Sequence, residues 1–194
     1  WGFYYSVRGT NTNFMTLDAS DAQGSNNADP DANGVADGGG GYTGAYAVLS
    51  SSTISIAPNA YANSGTSAIG YCFAEVQGYS KFGSYTGNGS TNGTFIYTGF
   101  KPAWIMGKRA DSANNWYIFD STRSTFNVTD KKLRADQNAA ENVDSSKTID
   151  ILSNGFKIRS SDAEFNADAG SYIYLAFAEN PFVTAGTKAA GTAR

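Results

Sequence analysis

The sequence predicts an all-β protein built from two related antiparallel β-sandwich units, with little or no helix. Glycine is frequent, at 22 of 194 residues, proline is rare, at 4, and Ser, Thr and Asn fill the spaces between short apolar runs. That composition is typical of many short strands joined by tight turns. Aromatic residues make up 14% of the chain, which is enough apolar mass for two small packed cores.

An internal repeat indicates the two units. Residues 65–75, GTSAIGYCFAE, are similar to residues 169–179, AGSYIYLAFAE, and both stretches are predicted strands that end in Phe-Ala-Glu. Three similar blocks in the same order predict two copies of one unit. The two other pairs of blocks are 1–6 with 116–121, and 53–56 with 148–151.

We predict a first unit over residues 1–82, a second, complete unit over 83–182 and a C-terminal tail over 183–194. The first copy begins directly at its Trp block, whereas the second has further strands before its Trp, so the first is an N-terminally truncated copy. It also carries an Asp- and Gly-rich insertion near 29–41. A sheet without its outer strands exposes unpaired backbone edges, and we therefore interpret the chain as a piece of a longer polypeptide.

The second copy has the clearest strand patterns. Apolar and polar residues alternate in 148–152 and in 156–159, which predicts a hairpin. Asn154-Gly155 is its predicted turn, because both residue types tolerate positive φ. Near-continuous apolar runs at 103–106 and 172–177 predict central strands that are covered on both faces.

Two further local predictions concern Cys72 and residues 136–142. Cys72 is the single cysteine and lies in the apolar run 68–74, so it is predicted to be a small buried residue and not a reactive thiol. Residues 136–142 are the one stretch that could pass for a helical turn, and they are too few for a stable helix.

Charge and hydropathy exclude two classes of partner. The net charge is −3 and the isoelectric point is near 4.8, and the 14 Lys and Arg residues are scattered. Without a basic stripe, no nucleic acid partner is expected. No apolar run approaches the roughly twenty residues that span a bilayer, so no membrane insertion is expected either.

The residue types predict a protein that is not an enzyme. The chain contains no histidine, which removes His-dependent triads and the usual zinc sites. Glu75 and Glu179 end the repeated strand in both copies, and a carboxylate at the same place in two copies is best interpreted as a structural strand end or an edge charge. A glycan hydrolase, which needs an acid/base pair, is therefore disfavoured, and no catalytic residue is assigned.

Residues 29–37 form a candidate calcium loop. Oxygen ligands at alternate positions followed by a glycine place several carboxyl groups on one side of a tight loop, and the pattern resembles an EF-hand loop and the calcium repeats of thrombospondin type 3. The twelfth position is Gly40 and not the bidentate glutamate of an EF-hand, so the stretch also fits a solvated acidic loop. The candidate ligands are the side chains of Asp29, Asp31, Asn33 and Asp37 and the carbonyl of Val35.

Three aromatic residues are candidates for a sugar-binding platform, because aromatic rings stack on pyranose faces. They are Trp104, Trp116 and Tyr117. Trp1 and Trp116, however, occupy the same repeat position within apolar strands, which favours core packing. Ligand-binding residues are therefore left unassigned.

Five blocks of sequence resemble a known family of domains. The chain is similar to a repeat domain of unknown function found in tail-fibre-like and other virion structural proteins of marine tailed bacteriophages. The resemblance is strongest from about Tyr71 to Phe182, implies no catalytic motif, and agrees with concanavalin-like or jelly-roll sandwiches. The blocks are GSYTGNG at 83–89, YTGFKPAWI at 97–105, KR at 108–109, NWYIFDS at 115–121 and YLAFAENPF at 174–182.

The resemblance implies a location on the surface of a virus particle. As a tail-fibre or receptor-binding appendage module, the protein would form a homo-oligomer, with a trimer favoured, and present loops to a host surface glycan or protein. As a capsid decoration (cement) protein, it would bind other virion proteins of the shell. A third alternative is an extracellular glycan-binding or glycan-cleaving module. No cofactor is expected beyond the possible calcium ion.

Overall fold

The computed structural model describes residues 2–5, 13–17, 20–22, 24–25, 47–49, 54–56 and 71–180. By internal contacts the chain divides into two units, the first with residues 1–17 and 23–72 and the second with residues 18–22 and 73–194. The described residues lie mostly in antiparallel strands, and their only helix has four residues, so the predicted all-β class is confirmed. No helix in these ranges is long and apolar enough to cross a membrane.

The described strands of the first unit form two small antiparallel sheets. A three-stranded sheet has the order β1-β2-β3, and a separate pair joins β4 to β5. Two of these strands lie within the repeat blocks 1–6 and 53–56. The strands are β1 (Gly2–Tyr5), β2 (Asn13–Thr16), β3 (Gly24–Ser25), β4 (Ala47–Leu49) and β5 (Ile54–Ile56).

The second unit contains a four-stranded sheet, a three-stranded sheet and one short pair. Their orders are β6-β14-β8-β9, β12-β13-β7 and β10-β11. The apolar runs at 103–106 and 172–177 lie in β8 and β14, the two inner strands of the larger sheet, as predicted. The elements are β6 (Ser80–Thr86), β7 (Phe95–Tyr97), β8 (Pro102–Arg109), β9 (Tyr117–Asp120), β10 (Lys131–Lys132), β11 (Asn142–Val143), β12 (Ile149–Leu152), β13 (Gly155–Ile158), α1 (Ala163–Asn166) and β14 (Ser171–Ala178).

Buried side chains from both larger sheets form one hydrophobic cluster. In β9, β12, β13 and β14 its members are alternate residues, as the period of two requires. Phe156 of β13 packs edge-on against Tyr174 of β14, with ring centroids 5.5 Å apart, and Tyr85 of β6 stacks on Tyr172 at 4.8 Å. Phe165 of α1 is fully buried against the ring of Tyr117, 4.7 Å away. The helix therefore covers part of the same cluster.

A buried lysine holds the short segment 20–22 within the second unit. Lys108 of β8 has no exposed surface, and its ammonium donates to the carbonyl oxygens of Ser20, at 3.0 Å, and Asn114, at 2.6 Å. The amide of Asn114 also donates to the Ser20 carbonyl at 2.8 Å. These bonds satisfy a buried charge, which would otherwise be costly.

The predicted hairpin is present, but its turn differs from the prediction. In the register of β12 and β13, Leu152 lies opposite Gly155, so Ser153 and Asn154 form the two-residue turn. Neither Asn154 nor Gly155 has positive φ, so the predicted reason for the turn is wrong. Position 155 requires glycine instead because the backbone of β7 approaches it closely. A Cβ atom there would lie 2.1 Å from the carbonyl oxygen of Ile96 on β7.

Replacing Gly155 with alanine is expected to push β7 away from β13. Since overpacking against rigid backbone typically costs about 1–3 kcal/mol, the free energy of unfolding should fall by that amount in urea denaturation. Ser153→Ala, at the exposed turn two residues away, is the matched control and should change it by less than about 0.5 kcal/mol. Equal unfolding free energies for the two variants would contradict the close approach.

Three local features differ from the sequence predictions. Residues 71–75 contain no strand, although they match part of β14 in the repeat, and Cys72 is exposed and not buried. Side-chain contacts hold this segment in place of a backbone ladder: the ring centroid of Phe73 lies 5.8 Å from that of Phe177, and Glu75 pairs with Lys81. The short helix is α1, which the sequence did not predict. Its N-cap is Asp162, whose carboxylate accepts from the amide of Glu164 at 2.8 Å.

Candidate functional site

The candidate calcium ligands Asp29, Asp31, Asn33, Val35 and Asp37 lie outside the described residues. Within the part of the chain that the structure describes, no group of three Cys, Asp or Glu side chains is placed to hold a metal ion. Calcium binding at residues 29–37 stays a prediction.

The three candidate aromatics of the sugar platform do not form an exposed surface together. Trp116 and Tyr117 are fully buried, so neither ring offers a face to a ligand. The hydroxyl of Tyr117 lies 3.0 Å from that of Tyr85, and its burial raises the pKa of Tyr117 above its usual range. Trp104 is half-buried and packs against Phe177, with centroids 5.7 Å apart.

Glu75 and Glu179 each pair with a lysine. A carboxylate oxygen of Glu75 lies 2.9 Å from the ammonium of Lys81, and one of Glu179 lies 2.7 Å from that of Lys101. All four side chains are partly exposed. Glu179 directly follows β14, as the strand-end interpretation expects, whereas residues 71–74, which precede Glu75, form no strand, so that interpretation is wrong for Glu75.

A buried carboxylate, that of Glu164, lies among three cationic side chains. The side chain of Glu164 is 4% exposed and accepts from the ammonium groups of Lys132, at 2.8 Å, and Lys147, at 3.2 Å, and from the guanidinium of Arg134, at 3.1 Å. Burial opposes ionisation of Glu164, but the hydrogen bonds from Arg134 and Lys132 outweigh it and hold its pKa below the usual range. Three cations bind this one carboxylate, so Glu164 is not available as a general base. The cluster instead stabilises the fold.

A cavity of about 180 Å³ lies beside the loop that follows β9. We call it the Phe126 pocket. Five of its seven lining residues are polar, but most of the surface that faces the pocket is carbon, including the ring of Phe126 and the aliphatic side chain of Ile151. The lining residues are Lys101, Ser121, Ile151 and the run Ser124, Thr125, Phe126 and Asn127.

The first end of this loop is held by Asp120. Its carboxylate accepts from the backbone amides of Thr122, at 3.0 Å, and Arg123, at 2.8 Å, which is the hydrogen bonding of an Asx turn. The guanidinium of Arg123 contacts the carboxylates of Asp120 and of Glu141, the latter at 2.9 Å. The turn is therefore fixed through both backbone and side chain.

The second end is held by Asn127. Its amide nitrogen donates to the carbonyl oxygen of Ile151 and its amide oxygen accepts from the backbone amide of Ile151, both at 2.9 Å. The Asn127 side chain thus makes the two hydrogen bonds to β12 that the backbone of a neighbouring strand would make. Two residues later, Thr129 exchanges backbone hydrogen bonds with Ile149, at 2.8 and 3.1 Å.

Between these two anchored ends, Phe126 is 84% exposed, the largest exposure among the large hydrophobic side chains described. A loop fixed at both ends that holds a phenyl ring in water is typical of a contact site on a rigid scaffold. The sequence reasoning missed it because it considered aromatics within strands. The available signal was a single aromatic inside the polar run STRSTFN at 121–127.

Asn127→Ala removes both hydrogen bonds to Ile151 and should loosen the loop. At about 0.5–1.5 kcal/mol per bond, the free energy of unfolding should fall by about 1–3 kcal/mol, and amide exchange at residues 121–128 should accelerate. Asn138, which is exposed, provides the control Asn138→Ala, with no expected change. Unchanged exchange in Asn127→Ala would show that the amide does not hold the loop.

The chain matches a known protein-family model. The model described as a domain of unknown function (DUF7483) matches residues 1–181. No curated protein and no solved structure matches the chain.

Proposed function

The chain belongs to the DUF7483 family of domains of unknown function, and from its resemblance to domains of phage virion structural proteins we propose that it is a surface module of a phage virion. Its role is that of a tail-fibre or receptor-binding appendage that contacts the host surface. The observation that carries the contact role is the Phe126 pocket, where an exposed ring and several polar side chains are displayed on an anchored loop. Loops held by a rigid β scaffold commonly carry recognition.

We also propose that the two units are copies of one β-sandwich of the jelly-roll or concanavalin-like type. The single cluster of buried residues shared by the two larger sheets supports a sandwich in the second unit. The repeat is supported by matching strand positions. Gly2–Tyr5 and Tyr117–Asp120 lie within one pair of repeat blocks, and Ile54–Ile56 and Ile149–Leu152 overlap another.

The module is proposed to act by binding and not by catalysis. Its partners are other virion proteins, further copies of the chain, with a trimer favoured, and a host surface glycan or protein; nucleic acid and membrane insertion are not among them. The engagement of Glu75, Glu164 and Glu179 by cationic side chains supports a role without general acid/base chemistry. Release of reducing sugar from host polysaccharide by the purified chain would contradict it.

A capsid decoration protein is the second candidate, and a different surface favours it. Phe177 lies at the centre of an aromatic cluster on β14 that includes Phe73, 63% exposed, and Tyr79, 42% exposed. Exposed apolar clusters of this kind mark protein–protein contacts, which a shell-binding protein needs.

Electron microscopy of intact particles labelled with an antibody against the chain distinguishes the two candidates. We expect label at the tail. Label confined to the capsid faces would replace the appendage role with decoration, and particles without label would contradict any exterior virion role.

A further inference from the structure

We propose that the Phe126 pocket binds one neutral pyranose unit of a glycan. The inference rests on the proposed function only for the source of that glycan, the host surface. The binding chemistry itself is argued from the pocket alone, and it can be tested on the purified chain.

The size of the pocket selects a single ring. Its volume is about 180 Å³. Pockets that enclose drug-sized ligands measure about 300–1,000 Å³. An oligosaccharide would therefore place one unit in the pocket and extend the others into solvent.

The polar side chains of the lining suit a polyol. The side-chain hydroxyls of Ser121 and Thr125 make no hydrogen bond to another described residue, and each can donate one bond and accept two. Asn127 commits its amide oxygen and one N–H to Ile151, so its second N–H is available in a fixed orientation. Sugar hydroxyls, which both donate and accept, match this set.

The aromatic ring supplies the apolar contact. Phe126 lines the pocket, and its 84% exposure leaves a ring face free for stacking. A pyranose has an apolar C–H face and a hydroxyl-bearing edge, so one ring can stack on Phe126 while its hydroxyls reach the polar lining. A phenyl ring has no polar group of its own, and its contact therefore requires the C–H face of the ligand.

The charge of the pocket favours a neutral sugar. Lys101 is the one charged residue in the lining, and its ammonium is paired with Glu179 at 2.7 Å. The pair leaves almost no net charge to attract a carboxylate or a sulfate group. Uronic acids and sulfated sugars should therefore bind no better than their neutral counterparts.

The test is a titration of the purified chain with the methyl glycosides of glucose, galactose and mannose and with methyl glucuronide, followed by NMR and calorimetry. We expect a millimolar Kd for at least one neutral glycoside, as a ligand this small allows. Phe126→Ala should weaken that binding about tenfold, and Ser121→Ala with Thr125→Val should weaken it severalfold. Phe95→Ala, at a half-exposed ring outside the pocket, is the matched control and should bind as the wild type does.

Three results would overturn the inference: no binding of any neutral glycoside, tighter binding of the glucuronide, or equal weakening by Phe95→Ala. Its failure is distinguishable from failure of the proposed function. Antibody label at the tail without any sugar binding would contradict the sugar site and leave the appendage role standing. Sugar binding together with label on the capsid would contradict the appendage role and leave the sugar site standing.

Discussion

Glu164→Ala is expected to lower the free energy of unfolding by about 3–5 kcal/mol in urea denaturation. The carboxylate compensates Lys132, whose side chain has no exposed surface and whose ammonium also lies 4.9 Å from the ring centre of Phe165. Removing one partner of a buried pair leaves the other charge buried and unpaired. The free-energy cost of that unpaired charge exceeds the net stabilisation that the intact pair provides.

The control for this variant is Glu75→Ala. Glu75 also pairs with a lysine, but its side chain is 48% exposed, and such surface pairs contribute about 0–1 kcal/mol. Similar losses in the two variants would mean that Glu164 does not compensate a buried charge.

Low pH should destabilise the wild type by protonating the carboxylate of Glu164. The pKa of Glu164 is held below its usual range in the folded chain, so its contribution is complete above the unfolded pKa of about 4.3 and is lost as the pH falls through the folded value. The melting temperature of the wild type should therefore fall more steeply below about pH 4 than that of Glu164→Ala. Parallel curves for the two proteins from about pH 6 to pH 2 would contradict the lowered pKa.

Phe156→Ala and Phe126→Ala are the same substitution, but we expect a large loss of stability from the first and almost none from the second. Phe156 is fully buried against Tyr174, so its truncation should lower the free energy of unfolding by about 3–5 kcal/mol. Phe126 is 84% exposed, and its truncation should change that free energy by less than about 0.5 kcal/mol.

This comparison also decides what Phe126 does. If Phe126→Ala unfolded as readily as Phe156→Ala, the ring would be structural and the contact site would lose its basis. A folded, equally stable Phe126→Ala is the form of the protein needed for every binding experiment on the pocket.

Local patterns predicted much of the second unit. The alternation at 148–159 placed the hairpin, and the apolar runs at 103–106 and 172–177 placed the two inner strands of the four-stranded sheet. These features depend on near neighbours along the chain, which a sequence displays directly.

Features that depend on distant partners were not predicted. Lys132 is buried because Glu164, 32 positions later, neutralises it, whereas a lysine in a sequence normally indicates an exposed position. The Phe126 pocket combines residues near 101, 121–127 and 151, and only the fold brings them together. Gly155 was assigned to the turn, although its contact with Ile96 on another strand explains it.

The most direct test of the host-contact role is competition for phage adsorption. Host cells are incubated with the purified chain before particles are added, and the adsorption rate is measured with the wild type and with Phe126→Ala. We expect the wild type to slow adsorption in proportion to its concentration and Phe126→Ala to be at least several times less effective. Equal inhibition by both proteins, or inhibition by neither, would contradict a host contact made through the Phe126 pocket.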